Sequence, residues 1–399
     1  MNILFVTIAW PSGNKSNIYT DLVEEIQKKG HSISVLTVSE KRDNKKTDFL
    51  KNGNLRVLRV ASGNITKTNA RKKGINLILL NRKMGKAIRQ YFPDEDFDLL
   101  IASTPPITIS NLLARLKKKY KANLYLLLKD IWPQGSVDLG VMKKRSLVWS
   151  YFRKHEKRIY KISDFIGCMS QANVDYLLSE NSYLTNEKVE VCPNSIIPYD
   201  VGEPDPEARK RLNIPEEATV FLFSGNLGLG HGLDFYYDCI LKLQDYKEAF
   251  FLIGGAGTHY KYLEERVNND NPANLKLYSW LPEKDFQQIL LLSDVGVILL
   301  KQTYTTPQFP SRLLAYLNSS MPVFCVINEA TDIGQIVEKH SCGFSVPHGD
   351  QNKFISGIKR FCSLSEHEKN AMGKNANSLL YKKYRAEKAS EVILNHFDH

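Results

Sequence analysis

Residues 219–234 read TVFLFSGNLGLGHGLD. The apolar run Thr219–Phe223 gives way to Gly225, Gly228, Gly230 and Gly232, and then to a stretch whose spacing predicts a helix over 231–245. A short apolar run closed by glycines and opening into a helix is a strand-to-helix turn. Its unbroken rather than alternating apolarity suits a strand covered on both faces.

The same unit recurs on either side. Downstream, AFFLIGGAG (249–257), LKLYSWL (275–281), DVGVILL (294–300), PVFCVI (322–327) and GFSV (343–346) alternate with helical patterns at 258–268, 283–292, 310–319 and 331–338. Upstream, NILFVTIAW (2–10), HSISVLTVS (31–39), LRVLRVA (55–61), FDLLIAST (97–104), NLYLLLKD (123–130), FIGCMS (165–170) and VEVCPN (189–194) alternate with longer amphipathic stretches. Strands alternating with helices predict parallel sheets with helices on both faces, so the fold class is α/β with two Rossmann-like domains. Between the two series lies NSIIPYDVGEPDPEARKRLNIP (194–215), with four prolines and a cluster of acids. It predicts a division into a domain over 1–197, a linker over 198–217, a second domain over 218–375 and a closing helix over 376–399 that packs on either domain.

At 399 residues, with 43% hydrophobic and 24% charged residues, the chain has room for two cores and is neither disordered nor fibrous in composition. Its six cysteines, Cys168, Cys192, Cys239, Cys325, Cys342 and Cys362, form no C-x-x-C pair and stand by no histidine cluster. They read as core thiols, not as a zinc site or a disulfide framework. No metal or other cofactor is expected. No basic region precedes NILFVTIAW, and no uncharged apolar run reaches the roughly 18–20 residues that span a bilayer, so a cytoplasmic protein is expected.

The net charge of +11 is unevenly placed: residues 1–200 hold 33 Lys and Arg against 19 Asp and Glu (+14), and 201–399 hold 21 against 24 (−3). The excess sits in runs such as Lys143–Arg145 and in SLVWSYFRKHEKRIYKISDF (146–165), which reads as a basic amphipathic helix. Such a face fits an anionic membrane surface, giving a peripheral location at the inner face of the cell membrane. Nucleic acid is not expected as a partner, because no zinc-finger spacing or RNA-recognition signature accompanies the charge.

Ligands in open α/β sheets bind at the carboxyl ends of the strands, so the chemistry belongs in the loops that follow them. The glycine turns at 225–232 and 254–257 let a backbone approach phosphate closely, without the spacing of the dinucleotide fingerprint. Lys301 and Arg312 bracket a loop leading to a helix that starts near Pro310 and Ser311, an arrangement suited to a diphosphate. In the first half, Asp130 ends an apolar strand and is a candidate base, and Trp132 is a candidate platform for a sugar. The first loop carries Gly13, Lys15 and Ser16 as candidate acceptor-binding residues.

In order and spacing, KKGHSISVLT, KDIWPQGSVDLG, VEVCPNSI, FSGNLGLGHGLD, FLIGGAG, LPEKDFQQILLLSDVGVILL and FPSRLLAYLNSSMPV resemble the GT-B glycosyltransferases, in particular family 4 enzymes of capsule, O-antigen and exopolysaccharide synthesis. The resemblance implies two Rossmann-like domains facing each other across a cleft, with donor on the second and acceptor on the first. It implies that Gly225 and Asn226 abut the donor's phosphates and sugar, with Gly228, His231 and Gly255 in the same donor-binding loops. The backbone near Leu281 would meet the nucleobase. Ser311 and Arg312, matching the family's Pro-Ser-Lys element, would hold the diphosphate with Lys301, and Asp130 matches the acid of the Asp-x-Trp-Pro-Glu-Ser element. The sequence departs from the pattern where two glutamates eight apart become Pro307 and Ala315, where a basic residue becomes His231, and where a glutamate becomes Gln134.

The expected activity is retaining transfer of a hexosyl or N-acetylhexosaminyl group from a nucleotide-diphosphate sugar to a lipid-linked or saccharide acceptor in cell-surface polysaccharide synthesis. Two alternatives remain on sequence alone. One is a non-catalytic partner that stabilises an active enzyme, suggested by Pro307, Ala315 and His231; the other is a sugar-nucleotide epimerase.

Overall fold

The computed structural model describes every residue except 14, 44, 45, 66–69, 206, 280–282 and 399, with the backbone alone at 43, 70–73, 283 and 284. The chain divides into two compact units: Met1–Ile197 with Ala386–His399, and Pro198–Arg385.

Unit 1 is built on an eight-stranded sheet: β1 (Asn2–Val6), β2 (Ser32–Glu40), β3 (Asp48–Asn52), β4 (Leu55–Ser62), β5 (Leu99–Thr104), β6 (Asn123–Leu128), β7 (Phe165–Cys168) and β8 (Val189–Val191). The strand order is β3-β4-β2-β1-β5-β6-β7-β8, parallel except for β3, an edge strand antiparallel to β4. Leu4 and Val6 bury against one layer of helices, and Ile3 and Phe5 against the other. Both faces of β1 are covered, which is why Ile3–Val6 are apolar without a break rather than alternating. The short strand β3 has no counterpart in the alternating pattern; the turn after it passes through Gly53 at φ +55°.

Unit 2 holds six parallel strands: β9 (Thr219–Asn226), β10 (Ala249–Ala256), β11 (Leu275–Tyr278), β12 (Val295–Leu299), β13 (Val323–Ile327) and β14 (Gly343–Pro347). Their order is β11-β10-β9-β12-β13-β14. Chain direction across the sheet reverses between β9 and β12, and the corresponding reversal in unit 1 falls between β1 and β5. These forks are the topological switch points at which open α/β sheets take ligands.

Residues 198–217 hold to unit 2 instead of standing free. Arg209, on the short helix Ala208–Arg211, pairs with Asp294 at 2.9 Å, and the Tyr199 backbone exchanges hydrogen bonds with the Asn318 side chain. The closing stretch read as one helix is two. Helix Glu366–Lys383, started by a Ser365–Glu368 capping box, packs on unit 2 and stops at Tyr384. Helix Ala386–Leu394 belongs to unit 1, where the Ala386 N–H donates to the Ile196 carbonyl at 2.9 Å and Ile393 and Leu394 pack with Leu22 and Ile26. The apolar stripe of each helix is short enough to be satisfied by a different core.

Among the described residues no helix is long and apolar enough to cross a membrane, and no three or more His, Cys, Asp or Glu side chains group as metal ligands do. All six cysteines are free, five of them buried.

Candidate functional site

At the fork of unit 2, Arg312 opens the helix Arg312–Asn318. Its guanidinium carbon lies 3.9 Å from the centroid of the Phe223 ring, a cation–π contact supplied by β9. Its Nη2 lies 3.2 Å from His231 Nε2 and 3.4 Å from the Asn226 carbonyl. Gly225, at φ +113°, lies beneath the guanidinium, where a β-carbon would sit 3.7 Å from Nη2. The Arg312 Nη1 is enclosed and makes no hydrogen bond. Loss of solvation lowers the Arg312 pKa to about 10, which leaves it protonated at neutral pH.

His231 is neutral there. Burial, then the charge of Arg312, brings its pKa down to about 4. Its Nδ1 lies 3.0 Å from the Leu299 carbonyl, which can only accept, and Arg312 can only donate. The ring therefore carries its proton on Nδ1 and offers Nε2 as an acceptor to Arg312. Among the described residues no carboxylate pairs with Arg312, so a half-buried cation is left with an enclosed, unused Nη1.

The structure brings Gly225, Asn226, His231 and Arg312 into one cluster and ties Lys301 to it through the backbone. The Lys301 N–H donates to the Gly230 carbonyl at 2.9 Å, and Asn328 donates to the Lys301 carbonyl at 2.9 Å. The loops after β9, β12 and β13 are thereby laced together. A β-carbon on Gly228 would meet the Asn226 amide at 3.0 Å. Gly255 is required by its neighbour strand: a β-carbon there would sit 1.8 Å from the Gly225 carbonyl, so the two glycine turns exist partly to pack on each other. Ser311 precedes the helix and is exposed, with no capping bond from its hydroxyl. The expected helix start at Pro310 falls instead at Arg312. Leu281 lies outside the described residues.

At the fork of unit 1, Asp130 follows β6 and is exposed. The surrounding protein raises its carboxyl above the usual aspartate range, against the opposing charge of Lys129, whose own pKa falls to about 8 on burial. Tyr19, nearly buried, is pushed up to about 12 by burial, with a smaller contribution from Asp130. Ser103, ending β5, donates to the Thr7 hydroxyl at 2.8 Å, which also accepts from the Ala9 N–H at 3.2 Å.

Three candidates of this unit have local partners. Trp132 packs edge-on against Phe152 with ring centroids 4.1 Å apart, the Ser16 hydroxyl donates to the buried Asp21, and Lys15, next to Ser16 in the chain, is exposed. Gly13 takes φ +71° in the same exposed loop. Phe223, Tyr316, Thr7, Tyr19 and Ser103 were not legible as site residues. The signal available for Tyr316 was Gly296, a glycine inside the otherwise apolar strand DVGVILL, which marks a close approach of another group.

Two family matches follow the two units. Residues 16–198 match the family described as Glycosyltransferase Family 4, and residues 204–379 match Glycosyl transferases group 1. The chain is a two-domain glycosyltransferase. This transferase is 24% identical over 294 residues, 72% of its length and 71% of the relative's, to a probable glycosyltransferase, WbjE, of Pseudomonas aeruginosa. It is 22% identical over 169 residues, 42% and 41% of the two chains, to a putative colanic acid biosynthesis glycosyl transferase, WcaI, of Escherichia coli strain K12. Its fold matches that of an E. coli protein titled trehalose-6-phosphate bound with UDP-2-fluoro glucose, with a TM-score of 0.76 over 99% of this chain and 98% of the other at 12% identity. The matches support the transferase reading, and the two parallel-sheet units are those of the GT-B fold.

Proposed function

We propose that this glycosyltransferase takes a sugar from a nucleotide-diphosphate donor held at the fork of unit 2 and transfers it, with retention, to a lipid-linked or saccharide acceptor in cell-surface polysaccharide synthesis. The observation that carries the donor reading is Arg312, half-buried, charged, unpaired with any described carboxylate and held against the Phe223 ring with an Nη1 that meets no acceptor. Phosphate oxygens are acceptors that suit the exposed part of such a guanidinium. As the bond to the sugar breaks, negative charge grows on the departing diphosphate, and a fixed guanidinium with the nearby Lys301 stabilises it without reorganising. No metal ion is needed for that step. The resemblance to the Asp-x-Trp-Pro element and the raised carboxyl pKa support Asp130 as the group that takes the acceptor's proton.

Calorimetry of the purified protein against UDP, GDP, dTDP and CDP, followed by turnover of the matching sugars with and without EDTA, tests this. Binding of one diphosphate, its loss in Arg312→Ala, and turnover indifferent to EDTA are expected; binding undiminished in Arg312→Ala overturns the donor site.

The lipid-linked form of the acceptor is supported by the surface of unit 1. Leu147, 91% exposed, with Val148, Val141 and Tyr151 stands among Lys143, Lys144, Arg145 and Lys154. Apolar side chains ringed by cations suit the headgroup region of an anionic bilayer. Sedimentation with vesicles containing anionic lipid, lost in the Leu147→Glu, Val148→Glu double variant and absent with neutral vesicles, is the expected outcome.

A further inference from the structure

β9 and β12 are hydrogen-bonded only at Val295↔Phe221 and Gly296↔Leu222, and then part to let the chain leave the sheet on its two faces. Parting strands in a sheet interior abandon ladder groups that water does not reach, and each such group costs stability unless something replaces the lost strand. Here the replacement is one hydroxyl. The Tyr316 Oη donates to the Leu222 carbonyl at 3.0 Å and accepts from the Ser224 N–H at 3.2 Å, with the Val297 carbonyl at 3.4 Å. The ring reaches that position because residue 296 is glycine: a β-carbon there would lie 2.4 Å from the ring.

Tyr316 sits four residues after Arg312, on the same face of a helix of seven residues. So short a helix does not hold its own position. Its attachments decide where its first residue stands. Arg312 in turn meets three fixed partners, the Phe223 ring, His231 Nε2 and the Asn226 carbonyl, two of them on the strand that Tyr316 grips. We infer that Tyr316 is a positioning residue: by wedging the fork it sets the height of the helix, and so places the Arg312 guanidinium for the ligand. The ligand side of this inference rests on the reading of Arg312 as the diphosphate contact; the positioning side does not.

The test separates the two. In protein labelled with 15N-arginine, the Arg312 Nε–H resonance is displaced by the Phe223 ring current, and Phe223→Leu and Arg312→Ala identify it. In ligand-free Tyr316→Phe, which keeps the ring and removes the hydroxyl, that displacement is expected to collapse. The affinity for whichever of UDP, GDP, dTDP or CDP binds the wild type is expected to fall about tenfold. Two controls fix the interpretation. Leu317→Ala loosens the same helix from the core, where Leu317 is fully buried, and is expected to lower the melting temperature at least as far while keeping the resonance. Tyr236→Phe removes a buried hydroxyl that has no partner, and is expected to change neither. An unmoved resonance in Tyr316→Phe, or an equal collapse in Leu317→Ala, overturns the positioning role. Undiminished nucleotide binding in Arg312→Ala overturns the donor reading and leaves the resonance result standing by itself.

Discussion

At the fork between β1 and β5 two short hydroxyls from the strand ends face each other, Ser103 donating to Thr7, whereas at the fork between β9 and β12 a tyrosine from a following helix fills the gap. Two small buried hydroxyls close the first fork, and Tyr19 and the exposed Asp130 stand nearby. The bulky plug of the second brings its helix with it, and with the helix comes Arg312. The difference in plug therefore becomes a difference in charge at the site, a carboxylate at one fork and a guanidinium at the other. Each runs against the net charge of its own half, +14 for residues 1–200 and −3 for 201–399. Net charge acts over a whole surface; the charge at a site is set by the few groups that the fork holds in place.

That contrast is most exposed to failure at Arg312. Arg312→Ala is expected to lower kcat/KM more than about a hundredfold, as loss of one preorganised donor to developing charge does. Arg312→Lys should recover part of it, lacking the planar fork that rests on Phe223. Steady-state kinetics decide, and near-wild-type turnover in the alanine variant would remove the cationic half of the comparison.

Asp130→Asn should lower kcat by about a hundredfold with nucleotide affinity intact, since removal of a general base typically costs 10²–10⁴. The wild-type rate should decline with acid at a pH above the ordinary aspartate pKa, because desolvation by the surrounding protein raises this carboxyl. A variant with full activity assigns the carboxylate no chemical part.

A smaller effect concerns stability. His231 titrates near 6.5 when unfolded and near 4 in the fold, so between those values the unfolded chain binds the extra proton. Its contribution is complete above pH 6.5 and is lost as the pH falls towards 4, by roughly 2 kcal/mol given the partial exposure of the ring. The melting temperature of His231→Gln, followed against pH, should lack that slope. Smallest of all, Thr7→Val should cost only about 1–2 kcal/mol in denaturant unfolding, because it breaks the bond from Ser103 and the one from the Ala9 N–H but strands no ladder group. A cost equal to that of Tyr316→Phe would mean that the two forks are closed in the same way after all.

Much of the fold was legible in the chain. Runs such as VFLF (220–223) and ILFV (3–6) are apolar at every position because both faces of their strands are covered, and glycines mark the turns after β9 and β10. The edge strand β3 escaped notice because an exposed edge needs no apolar run: three of its five residues are exposed. Within the site, Arg312, Lys301, His231 and Asp130 were legible as charge and chemistry at strand ends. Trp132 and Ser16 were legible only as residue types, and the structure gives them a neighbouring ring and a buried carboxylate as partners. Tyr316 read as one more core aromatic, since nothing local distinguishes a tyrosine whose hydroxyl fills a fork from one, such as Tyr236, whose hydroxyl meets nothing.

The sequence by itself determined two parallel α/β domains and the strand ends that would carry chemistry, because burial pattern and turn chemistry act over a few residues at a time. The tertiary structure decided which of those ends meet. Arg312 touches residues more than eighty positions away, and His231 is kept neutral by burial and by a cation on another helix, against the opposing pull of the Leu299 carbonyl. Solvation and hydrogen bonding depend on everything that packs around a group, and that is settled only when the whole sheet has closed.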